Sequence, residues 1–531
     1  MIKNPILPGF HADPCVCRRE EDIYVMLSSF EWMPGLPVYH SRDLKHWELI
    51  THVLTDDMCP NLRGLPSAKG IWAPNLTWCE KDGLFYCIYG VMHSMNARFF
   101  DISNYLITAK DIRGPWSEPV YLHSAGFDAS MLHDDDGRKW VVSLEWETRE
   151  GYEHPGAICL CEYLPDEKRI DPHFTRIWRG GTDRGCLEGP ALTKRNGYYY
   201  LMCAEGGTGY GHCVTMARSK SVFGPYEGDP KNPILTSHPE PFNLRGNPDH
   251  LRPFLFNPDT KLQKAGHGSY VDLPNGETYL FYHCSRPLLP ELRCVLGRET
   301  AMQKMIWTKD GWLRMPDGTN LAQEETEEPS LPAWKPTCPD WAWYCPRQMP
   351  ERFLKRNGES FILRGGENLS STNEVSLLCR KLTDTSDVLF EARVDFQPEA
   401  FQQSAGIALY YDNMNWLFFR IYFSETLGRP ALGILHVENG NKSEYPENRM
   451  PASGALFLRL RIRGNSSRFF WSEDHENWHD FGSVFPTDHF SDEYSQFGEF
   501  TGTFVGLAAV DALTRSRQAV FDCVRYEITG E

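Results

Sequence analysis

Lys81-Asp82-Gly83 before Leu84-Phe85-Tyr86, Asp135-Asp136-Gly137 before Trp140-Val141-Val142, Arg195-Asn196-Gly197 before Tyr198-Tyr199-Tyr200, and Pro274-Asn275-Gly276 before Tyr279-Leu280-Phe281 follow one plan. Asp-Gly and Asn-Gly pairs flanked by apolar and aromatic runs are the strongest short-range hairpin signal, because their central residues adopt the positive φ that a tight turn needs. A second element recurs further along: Ser41-Arg42-Asp43-Leu44-Lys45-His46-Trp47, Ala109 to Trp116, and Arg218 to Tyr226. The repeat length, roughly 55 to 80 residues with several short strands in each unit, predicts an all-β fold of propeller blades.

Counting back from the turns tests whether the units share a register. Nine residues before Gly83, Gly137, Gly197 and Gly276 stand Pro74, Asp128, Glu188 and His267, and nine before Asp22 stands Asp13. In a propeller the first strand of each blade lines the central axis, so one shared slot gathers three carboxylates and a histidine around one funnel. Small neighbours, as in Gly126-Phe127-Asp128-Ala129-Ser130 and Gly266-His267-Gly268-Ser269, let backbones crowd together there. Taken singly, each acid reads as a turn or capping residue; the common register favours a site.

Composition narrows the function. The chain has 531 residues, 41% hydrophobic and 24% charged, which is globular usage for two to four domains. Its 54 basic and 71 acidic side chains give a net charge of −17, which repels nucleic acid and anionic membranes and suits a neutral substrate. Aromatic content of 13% is compatible with rings that stack on sugars. The segment Met1 to Gly9 has no leader-like apolar stretch and no run reaches membrane-spanning length, so a cytoplasmic protein is expected. Sixteen scattered cysteines without a CxxC pair, with Cys15/Cys17 and Cys159/Cys161 at strand-face spacing, are expected to be reduced core thiols.

Two carboxyl groups flanking a bond suit glycoside hydrolysis. With inversion, one acid protonates the leaving oxygen while a carboxylate on the other face activates water, at a separation of roughly 6.5 to 9.5 Å. The acid must keep its proton near neutral pH; a third carboxylate about 5 Å away, at an effective dielectric of about 20, adds roughly 3 kcal/mol, on the order of two pKa units.

The same residues carry a family resemblance. His11-Ala12-Asp13-Pro14, Gly126-Phe127-Asp128-Ala129-Ser130 and Leu187-Glu188-Gly189-Pro190 resemble the three motifs of glycoside hydrolase family 43, over nearly the whole chain and most closely its two-domain β-xylosidases. The resemblance implies a five-bladed propeller, with Asp13 as general base, Glu188 as general acid and Asp128 tuning the acid. It implies release of terminal β-D-xylose from small oligosaccharides by an exo-acting inverting enzyme, with α-L-arabinofuranosidase, or both activities, as the alternative; a non-catalytic carbohydrate-binding propeller is a weaker one. Phe30, Trp72, Thr208 and Arg298 resemble residues that line the sugar pocket. His267 resembles an axial histidine that helps hold hydrated Ca²⁺ in some relatives, so no cofactor is required by the chemistry while Ca²⁺ near the axis is a candidate. The chain departs from the pattern at Ala191, where relatives often carry His, and in a long segment from Asn232 to Lys264; both are expected to reshape the pocket rim. The sequence does not fix the oligomeric state, and a homo-oligomer is compatible with it.

Residues 1–323 are read as the propeller, 324–337, rich in Glu and Pro, as an extended linker without strand periodicity, and 338–531 as a second domain. There Val388, Phe390, Ala392, Val394 and Phe396 alternate with mostly polar residues, as do Leu456, Leu458, Leu460 and Ile462 with Arg459, Arg461 and Arg463, which marks half-buried strands. The tail resembles the concanavalin-like β-sandwich of those β-xylosidases, and Phe504 stands where that domain is expected to lend an aromatic to the pocket. One competing motif, His475-Glu476-Asn477-Trp478-His479, matches HExxH, but its surroundings read as a hairpin turn rather than the helix a zinc site needs.

Overall fold

In the computed structural model, residues 1–529 are described except 57–58, 97–98, 153–154, 246–254, 338–342 and 497–499. Five sheets, each formed from contiguous sequence, make the propeller. Blade 1 contains Cys15–Arg19, Asp22–Met26, Gly35–Ser41 and Glu48–Leu54, and blade 2 contains Gly70–Cys79, Leu84–Ser94, Asp101–Ala109 and Val120–His123. Blade 3 begins with Ser130–His133, Lys139–Trp146 and Gly156–Leu164, blade 4 with Glu188–Arg195, Tyr198–Glu205 and Cys213–Ser219. In both, two short strands share the outer edge. Blade 5 comprises Gln263–Asp272, Thr278–Ser285, Glu299–Trp307 and Leu313–Arg314.

The turns quoted from the sequence join the first and second strands of blades 2 to 5, and Gly83, Gly137, Gly197 and Gly276 have φ of 62°, 92°, 73° and 85°. First strands of neighbouring blades touch in a closed ring, blade 5 meeting blade 1. Apolar faces of adjacent blades form the core, as where Cys15, Cys17 and Tyr24 of blade 1 meet Leu76, Phe85 and Cys87 of blade 2. The fifteen described cysteines are free, and all but Cys59 and Cys523 are buried. Burial lifts the Cys15 thiol to about 11, which keeps it protonated and unreactive.

The second domain is a sandwich of two seven-stranded antiparallel sheets. Val388, Phe390, Ala392 and Val394 face Ile462, Leu460, Leu458 and Leu456 across one strand pair, and all eight are buried. The alternation read from the sequence is this inner face, with Glu391, Arg393, Arg459 and Arg461 on the opposite face, where Glu391 is covered by Arg459 and His475. The expected start of this domain, at residue 338, lies outside the described residues.

The connector is more than a spacer. Glu325–Thr326 pairs with Ile2–Lys3 as a short antiparallel ladder, so the stretch does contain a strand, too brief to show periodicity. Further on, the Trp334 amide donates to Asp43 and the Thr337 amide to Glu48, fastening the chain along blade 1. Cys345–Pro346 then pairs with Trp32–Met33, placing the sandwich over the loops near the first blade. No described helix is long and apolar enough to cross a membrane.

Candidate active site

The common register becomes a ring. Asp13, Pro74, Asp128, Gly189 and His267, one or its immediate neighbour from each slot, surround a small axial cavity. Above it opens a larger pocket lined by Asp13, Asp128, Glu188, Phe30, Trp72, Thr208, His267 and Arg298. Local distortion aims these side chains. The ladder register slips between Trp72 and Asn75, between Glu188 and Ala191, and between Gly266 and Gly268, and a β-bulge re-aims side chains where it occurs. Asp13, Asp128 and His267 have φ of 55°, 58° and 47°, a left-handed backbone that costs non-glycine residues about 1 to 3 kcal/mol and concentrates at functional sites.

Asp13 is buried beneath donors. Ser28 Oγ donates to its Oδ2 at 2.7 Å and Arg298 Nη1 to its Oδ1 at 2.9 Å, while His283 Nδ1 lies 3.3 Å and His267 Nδ1 3.6 Å from the same Oδ1. Burial alone pushes a carboxyl up; here the Arg298 charge, then His283 and His267, outweigh it and hold Asp13 well below the usual carboxylate range.

Glu188 has the opposite environment. It is buried, and burial first, then repulsion from Asp128 and Asp13, raises it well above the usual range against the pull of Arg298. Burial therefore outranks the neighbouring charge that the sequence singled out. Asp128 accepts the Gly189 amide at 2.9 Å and is itself lifted to about 6, by burial and Asp13 against His267, Gly189 and Arg298. One cavity thus holds a carboxylate that stays ionised and a carboxylic acid that keeps its proton, the pairing that separates base from acid.

The walls are aromatic. Trp72 spends its indole N–H on the Ala68 carbonyl at 3.1 Å and turns its ring to the pocket, edge to face with Phe127 and Phe500 at 5.9 and 5.8 Å. Phe100 stacks on Trp146 at 3.7 Å on the same wall, and Cys186 and Met95 complete it. Phe100, Phe127, Trp146 and Phe500 are absent from the sequence-based site, since an aromatic in a β-protein reads the same in a core or a wall.

Phe504 is a correction. It opens the strand Phe504–Asp511, is fully buried and stacks on Trp32 at 3.7 Å beneath the pocket. The sandwich instead contributes Phe500, four residues earlier, in a loop held by a hydrogen bond from the Phe500 amide to Asp492. The Phe500 carbonyl accepts from Arg298 Nη2 at 3.0 Å and Nε at 3.3 Å. This junction needs glycine on both sides: a Cβ at Gly297 would sit 2.0 Å from the Thr501 carbonyl oxygen, and one at Gly502 2.6 Å from that of Leu296. Ala191 is a second correction, for it borders the axial cavity rather than the rim. Residues 246–254 of the long segment lie outside the described residues.

Among the described residues, one cluster brings three metal-ligating atoms together, Asp13, His267 and His283. It does not suit Ca²⁺, which takes six to eight oxygen ligands. The shared Asp13 oxygen already receives the Arg298 guanidinium, whose charge opposes a cation beside it. His475 and His479 also form no metal site: the segment is a turn between Ser466–Ser472 and His479–Phe485, with His475 on Glu391 at 3.1 Å and His479 stacked on Trp471.

Residues 2–313 match the family model described as glycosyl hydrolases family 43, and residues 335–527 match the β-xylosidase C-terminal concanavalin A-like domain. The chain is 38% identical to "Xylosidase/arabinosidase 43B" of Humicola insolens, over 99% of this chain and 97% of that protein. It is 35% identical to "Beta-xylosidase" of Bacillus subtilis (strain 168), over 99% of both. The crystal structure of a xylan beta-1,4-xylosidase from Bacillus halodurans C-125 superposes with a TM-score of 0.91 at 39% identity, covering 99% of this chain and 100% of that one. With a matching family model on each domain and a ring of three acids at the propeller axis, the chain belongs to glycosyl hydrolase family 43, whose chemistry needs no cofactor.

Proposed function

We propose that the protein is an exo-acting inverting β-xylosidase that releases terminal β-D-xylose from short oligosaccharides. In this reading Asp13 takes a proton from the attacking water, Glu188 gives its proton to the leaving oxygen, and Asp128 helps Glu188 hold that proton. The carrying observation is the split within one pocket, Asp13 driven below and Glu188 above the usual carboxylate range. Water gains a C–O bond at the anomeric carbon as the glycosidic C–O bond breaks; one proton passes to Asp13 and another leaves Glu188, so the charges balance. Phe30, Trp72 and Phe500 would stack on the sugar, Thr208 and Arg298 would bind its hydroxyls, and the aromatic wall would favour a chain end over a mid-chain segment. The poor fit of the Asp13 cluster to Ca²⁺ supports a reaction without metal, and chelation should leave the rate unchanged.

A second reading, α-L-arabinofuranosidase alone or beside xylosidase, has support in the double name of the Humicola insolens relative. Aryl β-xyloside, aryl α-L-arabinofuranoside and xylo-oligosaccharides, assayed side by side, separate the two; cleavage of none would end the enzyme reading. Proton NMR of fresh product should show α-xylose from a β-xyloside, and prompt β-xylose would refute the assigned roles.

A further inference from the structure

Two histidines behind the pocket floor have no role in the steps above. His283 lies on the second strand of blade 5, His212 immediately precedes the third strand of blade 4, and both are fully buried. They form a line between the two carboxyls. His283 Nδ1 is 3.3 Å from Asp13 Oδ1, its Nε2 is 2.8 Å from His212 Nδ1, and His212 Nε2 is 3.9 Å from Glu188 Oε1. Among the described residues neither that nitrogen nor His283 Nδ1, at the other end of the line, completes a hydrogen bond. Leaving a buried polar atom unpaired costs about 1 to 3 kcal/mol, so the placement of one such nitrogen beside each of the two carboxyls calls for a reason. The space for the ring is made by Gly266, where a Cβ would lie 2.4 to 2.5 Å from three atoms of His212.

A neutral imidazole has one N–H and one lone pair. Burial, then Arg298 and His267, keep His283 neutral, down to about 3 despite Asp13; burial, then His283, His267 and Arg298, keep His212 neutral as well. An ionised Asp13 can only accept and repels a lone pair 3.3 Å away, which favours the His283 proton on Nδ1. Its Nε2 is then a lone pair, and His212 must donate from Nδ1. The remaining lone pair, on His212 Nε2, faces Glu188, around which Asp128, Asp13, Arg298 and the Cys186 thiol also gather. That lone pair repels an ionised carboxylate and accepts from a protonated one, across a gap of the kind that tightens when substrate binds.

We propose that His283 and His212 are positioning residues that tie the two carboxyls together: with Asp13 ionised, only one order of ring protons is allowed, and that order favours the protonated form of Glu188. The proposal rests on the base and acid roles given above. Substantial xylobiose turnover by Asp13→Asn and Glu188→Gln would refute those roles whatever the histidines do.

The test of the relay is the pH dependence of kcat/KM on xylobiose, whose poor leaving group needs the acid. In His283→Asn the amide can still donate to Asp13 but leaves nothing at the Nε2 position. His212 is then free to carry its proton on Nε2, and the alkaline limb should fall by about one pH unit, the size of one hydrogen bond, although residue 283 does not touch Glu188. His283→Gln, which restores an acceptor near Nε2, should return that limb to its wild-type position. His212→Asn should reproduce the fall, and the double asparagine variant should go no further. An unmoved alkaline limb in His283→Asn, or a doubled displacement in the pair, would overturn the proposal; limb positions are independent of the fraction of enzyme that folds. For the unaltered protein, ¹⁵N NMR of histidine-labelled enzyme should show both rings protonated on Nδ1, and a proton on His212 Nε2 would equally overturn it.

Discussion

Replacing Arg298 with methionine tests the electrostatics of the pocket most directly. The guanidinium lies 2.9 Å from Asp13 Oδ1, and both side chains are buried. Unit charges at that distance in an effective dielectric of about 20 attract by about 6 kcal/mol, equivalent to about four pH units. Ser28 and His283 remain beside Asp13, and water entering the vacated space takes up part of the loss, so a displacement of about two units is expected. The sign follows from the charge: Arg298 favours ionised Asp13, so its removal raises that carboxyl and moves the acid limb of kcat/KM upward. Arg298 also opposes the proton on Glu188, so the alkaline limb moves up too, by less, and the bell becomes narrower and more alkaline. Arg298→Lys keeps the charge and should keep both limbs near their wild-type positions while raising KM, since it lacks the fork that holds the Phe500 carbonyl. Stability should follow the same ionisation. In the wild type, Asp13 stabilises the fold above its unfolded-state pKa and loses this as pH falls through its depressed folded value. In Arg298→Met an uncompensated buried carboxylate costs about 3 to 5 kcal/mol near neutrality, and the deficit in Tm should shrink in acid as Asp13 takes up a proton. The assay is a pH series of kcat/KM with matched thermal melts; limbs that stay fixed, or that move apart, would refute this account of Asp13.

Asp128→Asn removes one of the charges that hold the Glu188 proton, so the alkaline limb should fall by about one to two pH units, read from kcat/KM on xylobiose. Glu188→Ala should lose about 10² to 10⁴ in rate on xylobiose and far less on an aryl xyloside with an activated leaving group; equal losses would contradict its acid role. Phe500→Ala should raise KM about tenfold by removing one wall of the pocket, whereas Phe504→Ala should act on Tm, because Phe504 is buried against Trp32 and does not line the site.

The propeller was legible because two local rules reinforce each other. Turn chemistry pins each hairpin, and strand periodicity then fixes which residues share a level, so a count of nine from Gly137 or Gly197 finds Asp128 or Glu188 across sixty residues of unrelated sequence. The same count finds Pro74 in blade 2, where the chemistry-bearing residue is Trp72, displaced by a bulge that no spacing announces. The pocket wall was hidden for a different reason. Phe127 borders an acid in sequence, yet Phe100 and Trp146 reach the site only through blade packing, and the choice between Phe500 and Phe504 depends on where a loop ends and a strand begins. His212 and His283 sit at a strand border and in a strand interior, in contexts that read as plain core; what distinguishes them is a line of nitrogens drawn across two blades.

The contact between Arg298 and the Phe500 carbonyl bears on how such enzymes can be rebuilt. The group that sets the charge of Asp13 is itself oriented by the backbone of the other domain, so the two halves are not interchangeable parts. A chimera that borrows its sandwich from a relative would inherit, along with a new wall for the sugar, a different hold on the guanidinium, and its working pH would drift with a module that contains none of the three acids.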